Sequence, residues 1–102
     1  MSELILKTQH IIIHHSLVGK LLMGETHVLL KYDPKEKILL LAPASNSEFK
    51  IIHKTAQYML KEKNLQGDKS ISIHEILIDQ ELDESDRELS FSEAEGIIKI
   101  NL

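Results

Sequence analysis

The stretch HVLLKYDPKEKILLLA, from His27 to Ala42, is the part of the sequence that most clearly indicates how the chain folds. Two apolar segments flank the polar residues 33–36. Pro34 presets the φ angle that the second position of a type I turn needs, and the Asp33 carboxylate can accept hydrogen bonds from the backbone that follows. Because proline cannot lie in a central strand, the chain must reverse here. The stretch therefore predicts a β-hairpin.

The second half of this hairpin, ILLLA, is apolar on both faces, and so is the isoleucine run at residues 11–13. One helix covers only one face of a sheet, so the second apolar face needs a partner subunit or a closed barrel. The sequence therefore predicts a homodimer. The side chains assigned to its interface are Ile11, Ile13, Leu39 and Leu41.

Behind the hairpin, a helix is predicted over about residues 47–63. Ser45 and Glu48 have the spacing of a capping box, and either of the two residues between them is an alternative cap. The residues that recur at three- and four-residue steps, as on an amphipathic helix, are Phe49, Ile52, Ala56, Met59, Leu60 and Lys63.

The segment SISIHEILIDQEL, residues 70–82, has two interpretations. As a strand it has no purely apolar face. As a helix it has Ser72 and Glu75 at capping-box spacing. We expect a strand over residues 70–74, followed either by a short helix over about 73–82 or by a continuation of the strand.

The remaining segments are predicted to be mostly strands. Residues 3–15 contain the β-branched isoleucines that favour a strand, and residues 16–24 resemble a turn followed by a short strand. Apolar and polar residues alternate in 87–92 and 96–102, which indicates a closing hairpin. The 102 residues suffice for a single domain, 1–102, with one core. We predict an α+β fold in which an antiparallel sheet or a partly closed barrel is packed by one main helix.

The composition excludes several kinds of site. There is no cysteine, so disulfides, thiolate metal sites and cysteine nucleophiles are absent. No apolar run approaches the ~20 residues of a membrane span, and the first residues lack the apolar region of a secretory signal. We therefore expect a cytoplasmic protein without a membrane partner.

The histidine-rich stretch QHIIIHH, residues 9–15, raises the question of a metal site. On a strand, four steps of ~3.3 Å place the Cα atoms of His10 and His14 about 13 Å apart, which is too far for one ion. His14 and His15 would point to opposite faces of that strand. A metal site therefore needs one of these histidines together with a distant residue. The distant candidates are His27, His53 and His74 with Glu75.

A second metal candidate is HEILID, residues 74–79. It resembles the helical zinc motif HExxH, but Ile78 stands where the second histidine belongs. The candidate ligands are His74, Glu75 and Asp79. The sequence contains no nucleophile elbow, phosphate loop or dinucleotide fingerprint, so it predicts no cofactor and favours a protein that is not an enzyme.

The segment MGETHVLLKYDPKEKILLLAP, residues 23–43, resembles the strand–turn–strand unit of the AbrB/MraZ-type swapped-hairpin DNA-binding proteins. The matching residues are Gly24, Glu25, Asp33, Lys35 and Pro43. This chain departs from the family pattern at Glu36 in place of glycine, at Lys37 in place of arginine, and in a proline two residues late. The resemblance extends through the helix and NLQGDKSISI to residue 73. It implies an intertwined dimer in which Lys35 and Lys37 face DNA phosphates.

The charge is unevenly distributed along the chain. Residues 1–74 carry ten lysines and seven acidic residues, whereas residues 75–102 carry two basic and nine acidic residues, for a total of −4. A DNA-binding protein normally has a clustered basic patch, and the lysines here are spread out. The sequence therefore predicts a small non-enzymatic binding or regulatory module that acts as a homodimer. The alternatives are a swapped-hairpin DNA-binding transcriptional regulator and a metal- or ligand-binding enzyme that uses histidines and acids.

Overall fold

The computed structural model describes residues 3–55 and 57–102. Within these ranges the chain forms ten strands and three short helices. In chain order they are β1 (Leu4–Lys7), β2 (His10–Ile13), α1 (His15–Leu21), β3 (His27–Asp33), β4 (Ile38–Pro43), α2 (Ser47–His53), β5 (Gln57–Met59), β6 (Lys61–Glu62), β7 (Lys69–Ser72), α3 (His74–Asp79), β8 (Arg87–Glu88), β9 (Phe91–Ala94) and β10 (Ile97–Asn101).

The described strands form two antiparallel sheets of five strands each. Sheet A has the order β6-β7-β2-β1-β8, and sheet B has the order β5-β3-β4-β10-β9. Both sheets are open and neither closes into a barrel. The predicted α+β class is confirmed, with the difference that two sheets form the framework instead of one. No helix in the described ranges is long and apolar enough to cross a bilayer.

The predicted hairpin is the centre of sheet B. β3 pairs with β4 from Val28 opposite Pro43 to Asp33 opposite Ile38. In the turn, the Asp33 carboxylate accepts hydrogen bonds from the backbone N–H groups of Lys35 and Glu36, at 3.0 and 3.4 Å. The local chemistry of the Asp-Pro turn is therefore sufficient to place the reversal, as the sequence indicated.

The main core lies between the two sheets, because alternate residues of each strand point inward. The inward-facing side chains of β1, β2, β4 and β10 are at most 1% exposed: Leu4, Leu6, Ile11, Ile13, Leu39, Leu41, Ile98 and Ile100. A second, smaller core on the other face of sheet B joins Leu29, Ala42 and Phe49 of α2. One face of β4 is thus buried between the sheets, and α2 covers part of the other, where Ile38 and Leu40 stay partly exposed.

The four side chains predicted to lie in a dimer interface lie in the main core instead. Ile11, Ile13, Leu39 and Leu41 are each 0% exposed within one chain, so they offer no surface to a second copy. Sheet B covers Ile11 and Ile13, and sheet A covers Leu39 and Leu41. The homodimer itself stays a prediction, without these four side chains as its support.

The long helix predicted over residues 47–63 is wrong beyond His53. Asn46 caps α2 by accepting a hydrogen bond from the Phe49 N–H at 3.0 Å. Lys54 then adopts the left-handed conformation, with φ 47° and ψ 44°, which ends the helix. The chain continues as β5 along the edge of β3 and as β6 beside β7, so sheet pairing overrides the helical periodicity. Ala56, part of the predicted apolar stripe, lies outside the described residues.

The first strand and the segment after it also differ from expectation. Residues 3–15 form two strands because Thr8 and Gln9 have φ of 50° and 64°, as in a tight hairpin turn. Residues 15–21 are helical instead of forming a turn and strand. Of the two alternatives for residues 73–82, the short helix is present as α3, ending at Asp79, with Leu77 fully buried. Its N-cap is Ile73 without a side-chain hydrogen bond, so the Ser72–Glu75 capping box does not form.

Candidate metal centre

The junction between β2 and α1 brings two histidines together where the central strand of sheet A ends. The strand pleat stops at Ile13, and His14 becomes the N-cap of α1 with φ −62° and ψ 144°. His15 is already the first residue of the helix. The two imidazole rings therefore lie side by side, with their centroids 4.0 Å apart. The expectation that they point to opposite faces is wrong because it assumed a strand through residue 15.

The turn that leads from β6 to β7 supplies a third polar side chain, Asp68. Asn64 organises this turn: its Oδ1 accepts hydrogen bonds from the backbone N–H groups of Gln66 and Asp68, at 3.0 and 3.3 Å. Gly67 has φ +100°, a conformation that other residues rarely adopt. Since Lys69 pairs with Ile13, the residue before it comes to lie beside the start of α1. The pairing of β2 with β7 thus brings Asp68 to the histidines.

The Asp68 carboxylate is held from both sides. Its Oδ1 accepts a hydrogen bond from the backbone N–H of His15 at 2.7 Å and lies 3.0 Å from the ring Nδ1 of the same residue. Its Oδ2 accepts a hydrogen bond from Asn64 Nδ2 at 2.9 Å. The bond from Asn64 lowers the pKa of Asp68, and the bonds from His15 and the nearby charge of His14 lower it further against partial desolvation. The carboxylate is therefore negatively charged at neutral pH.

His14 has a hydrogen-bonded chain of its own. Its Nδ1 lies 2.8 Å from the Ser16 hydroxyl, which in turn donates to Glu3 Oε2 at 3.0 Å. The same Nδ1 accepts the N-cap hydrogen bond from the Ser16 backbone N–H at 3.2 Å, so the proton of the neutral ring is on Nε2. These two contacts with Ser16 fix the orientation of the ring.

The three side chains have the spacing of a metal-binding group. One ligand atom each from His14, His15 and Asp68 lie within 4.8 Å of one another, and no other histidine–acid triplet in the described ranges comes this close. An ion with tetrahedral bonds of about 2.0–2.1 Å holds its ligands about 3.3 Å apart, so closure needs movements of about 1.5 Å or less. Imidazole and carboxylate together suit Zn²⁺, and three protein ligands leave a fourth position open.

The metal ligands predicted from HEILID are not brought together. His74, Glu75 and Asp79 all lie exposed on α3, and within the described ranges they do not form a metal-binding group. His74 Nδ1 instead approaches the side-chain oxygen of Gln9. These three residues occupy a polar helix surface.

The lysines assigned to DNA are at the tip of the β3–β4 hairpin. Lys35 and Lys37 are both exposed there, and Lys37 has φ +58°. The hairpin that carries them pairs with β5 and β10 of the same chain, at both of its edges.

Asp68 was missed by the sequence reasoning. The signal available for it was the turn sequence NLQGD, in which an asparagine, a glycine and an aspartate precede a strand. That signal predicts a turn but does not indicate which residues lie beside the turn in the fold. Only the pairing of β2 with β7 shows that the turn faces His14 and His15.

Comparison of the chain with models of known protein families, with curated proteins and with solved structures finds no match. We therefore infer function from the chain's own residues.

Proposed function

We propose that the protein is a small binding module that holds one divalent transition-metal ion, Zn²⁺, through His14, His15 and Asp68. The observation that carries this proposal is the approach of three ligand atoms to within 4.8 Å of one another. They come from two segments that are 53 residues apart in the sequence. No local sequence motif forces such a meeting.

The contacts around the three side chains favour a metal site over a simple hydrogen bond between His15 and Asp68. Asn64 holds the far oxygen of Asp68, and the Ser16–Glu3 pair supports the ring of His14. Outer partners of this kind orient the ligands. The negative charge of Asp68 also favours a cation between it and the two rings.

A bound ion ties the β2–α1 junction to the β6–β7 turn. The three ligands are close together only in the folded chain, so an ion that binds them must stabilise the fold. At a free zinc concentration of 100 times the Kd, the stabilisation is about 2.7 kcal/mol. The melting temperature should therefore rise with zinc concentration.

The test is zinc stoichiometry. The protein is stripped with a chelator, dialysed against a buffered zinc solution and analysed for metal, with His15→Ala, Asp68→Ala and His74→Ala treated alongside. We expect one zinc per chain in the wild type and in H74A, which removes an exposed histidine outside the site, and a loss of zinc in the other two variants. Absence of zinc from the wild type, or retention by both H15A and D68A, contradicts the proposal.

A further inference from the structure

A second polar site lies on the outer face of sheet A, in an open groove of about 280 Å³. Its lining residues are Lys7, Thr8, His10, Ile12, Lys63 and Ser70. None of these is a ligand of the proposed metal centre.

Strand pairing explains why these side chains converge. Lys7 lies opposite His10 in the β1–β2 pair, and Ile12 lies opposite Ser70 in the β2–β7 pair. Residues directly opposite one another in an antiparallel sheet share a face. Their neighbours Ile11 and Ile13 point into the core, so this set points outward.

Two lysines line the groove without an ion-pair partner in the described ranges, and the nearby Asp86 carboxylate accepts a hydrogen bond from the Thr8 backbone N–H at 2.9 Å. The ion pairs within the described ranges involve Lys20, Lys69 and His15, and neither Lys7 nor Lys63 has a carboxylate within 4.0 Å there. Two ammonium groups in one concave site attract an anion, since a groove concentrates the field of its charges.

Polar hydrogen-bond donors accompany the charge. The Thr8 and Ser70 hydroxyls line the same groove. The Nδ1 of His10 lies 2.7 Å from the Thr8 carbonyl oxygen, which can only accept, so Nδ1 donates and Nε2 is left for a ligand.

We propose that this groove binds the phosphate group of a small phosphorylated molecule, with Lys7 and Lys63 neutralising its charge and Thr8 and Ser70 donating to its oxygens. The volume is at the small end of ligand sites and fits one phosphate with a short attached group. The proposal is independent of the metal centre, because no groove residue binds the ion.

The experiment is a titration of the metal-free protein at low salt, followed by ³¹P and amide NMR. The probes are inorganic phosphate, glycerol phosphate and a single-stranded oligonucleotide without terminal phosphates. We expect both phosphate probes to saturate and to shift the amides of Thr8 and Ser70. In the double variant K7A/K63A, affinity should fall about tenfold or more for each lysine removed.

The matched control is K35A/K37A, which removes the same charge from the exposed hairpin tip and should leave phosphate affinity unchanged. Saturation by glycerol phosphate but not by free phosphate also supports the proposal, and identifies the attached group as part of the ligand. Three results overturn it. Neither phosphate probe saturates, both double variants lose the same phosphate affinity, or only the oligonucleotide binds. The amide shifts are read on the wild type, so the outcome does not depend on the variants folding.

Discussion

His15 and Asp68 are 53 residues apart in the sequence, yet the backbone N–H and the ring Nδ1 of His15 lie 2.7 and 3.0 Å from the same oxygen of Asp68. The other oxygen of that carboxylate is held by Asn64. The carboxylate is therefore positioned from two directions by the protein itself. A ligand that is already oriented loses little freedom when a metal binds, which favours affinity.

Removal of this orientation should weaken zinc binding without removing a ligand. In Asn64→Ala, Asp68 loses the hydrogen bond to Oδ2, and its turn loses the two backbone hydrogen bonds that Asn64 Oδ1 accepts. We expect zinc affinity to fall by about 10–100-fold, as for other outer-shell partners. Competition with a zinc-binding dye measures this change.

The matched control is Asn101→Ala, which removes an asparagine that donates to Ser90 Oγ at 2.9 Å, outside the proposed metal centre. Its zinc affinity should equal that of the wild type. Equal affinity in N64A and N101A would show that Asn64 has no role in positioning the ligand.

Gly67 should be required for the turn that carries Asp68. Its φ of +100° strains any other residue, and a Cβ there would lie 3.4 Å from the Cβ of His15. We expect Gly67→Ala to destabilise the fold by about 1–3 kcal/mol, measured by urea unfolding. Gly19→Ala, inside α1 with open space around it, should instead stabilise by about 0.5–1 kcal/mol. If G67A is as stable as G19A, the turn does not have the described conformation.

Asp68 should make stability depend on pH in the acid range. Its pKa in the folded chain lies below the ordinary value of 3.8, chiefly because of the hydrogen bond from Asn64. A lowered pKa contributes stability that is fully present above the unfolded value and is lost as the pH falls through the folded one. The metal-free wild type should therefore exceed Asp68→Asn in stability by a constant amount at pH 5–7.

Below about pH 3.8 this difference should shrink, and urea unfolding at pH 7, 5 and 3 measures it. Asp83, whose pKa is also lowered, chiefly by the Ser85 N–H, is present in both proteins and cancels. A difference between wild type and D68N that persists unchanged at pH 3 contradicts this role of the Asp68 charge.

The extent of α2 can be tested by two substitutions on it. Phe49 is 2% exposed in the second core, whereas Ile52 is 71% exposed. We expect Phe49→Ala to cost about 3–5 kcal/mol and Ile52→Ala to change stability by less than about 0.5 kcal/mol. A helix running to residue 63 along the predicted stripe would bury both, so a large cost at Ile52 supports the longer helix. Thermal melts of the two variants decide between them.

Features with a strong local cause could be predicted from the sequence. The β3–β4 hairpin follows from Asp33 and Pro34, whose preferences need no distant partner. For residues 73–82 the local pattern allowed either a short helix or a continued strand, and the structure has the helix α3. In contrast, α2 ends because Lys54 adopts the left-handed conformation and the following residues pair with β3. Helical periodicity contains no information on that pairing.

The candidate site could be predicted only in part. In the described ranges Asp68 lies beside His14 and His15, whereas the distant candidates named from the sequence, His27, His53 and His74 with Glu75, do not join this group. The sequence indicated only that a histidine of QHIIIHH would need a distant partner. It did not indicate that the strand would end at Ile13, which is what places His14 and His15 together. Neither the end of the strand nor its pairing with β7 is encoded in local spacing, since both depend on long-range contacts.

The most direct test of the metal proposal is a long-range ¹H–¹⁵N NMR spectrum of the six histidine rings during a zinc titration. We expect the ring nitrogens of His14 and His15 to shift and to saturate at one zinc per chain. The rings of His27, His53 and His74 should stay unchanged over the same range. Saturating zinc that leaves His14 and His15 unshifted, or that shifts other rings in their place, contradicts zinc binding by these two histidines.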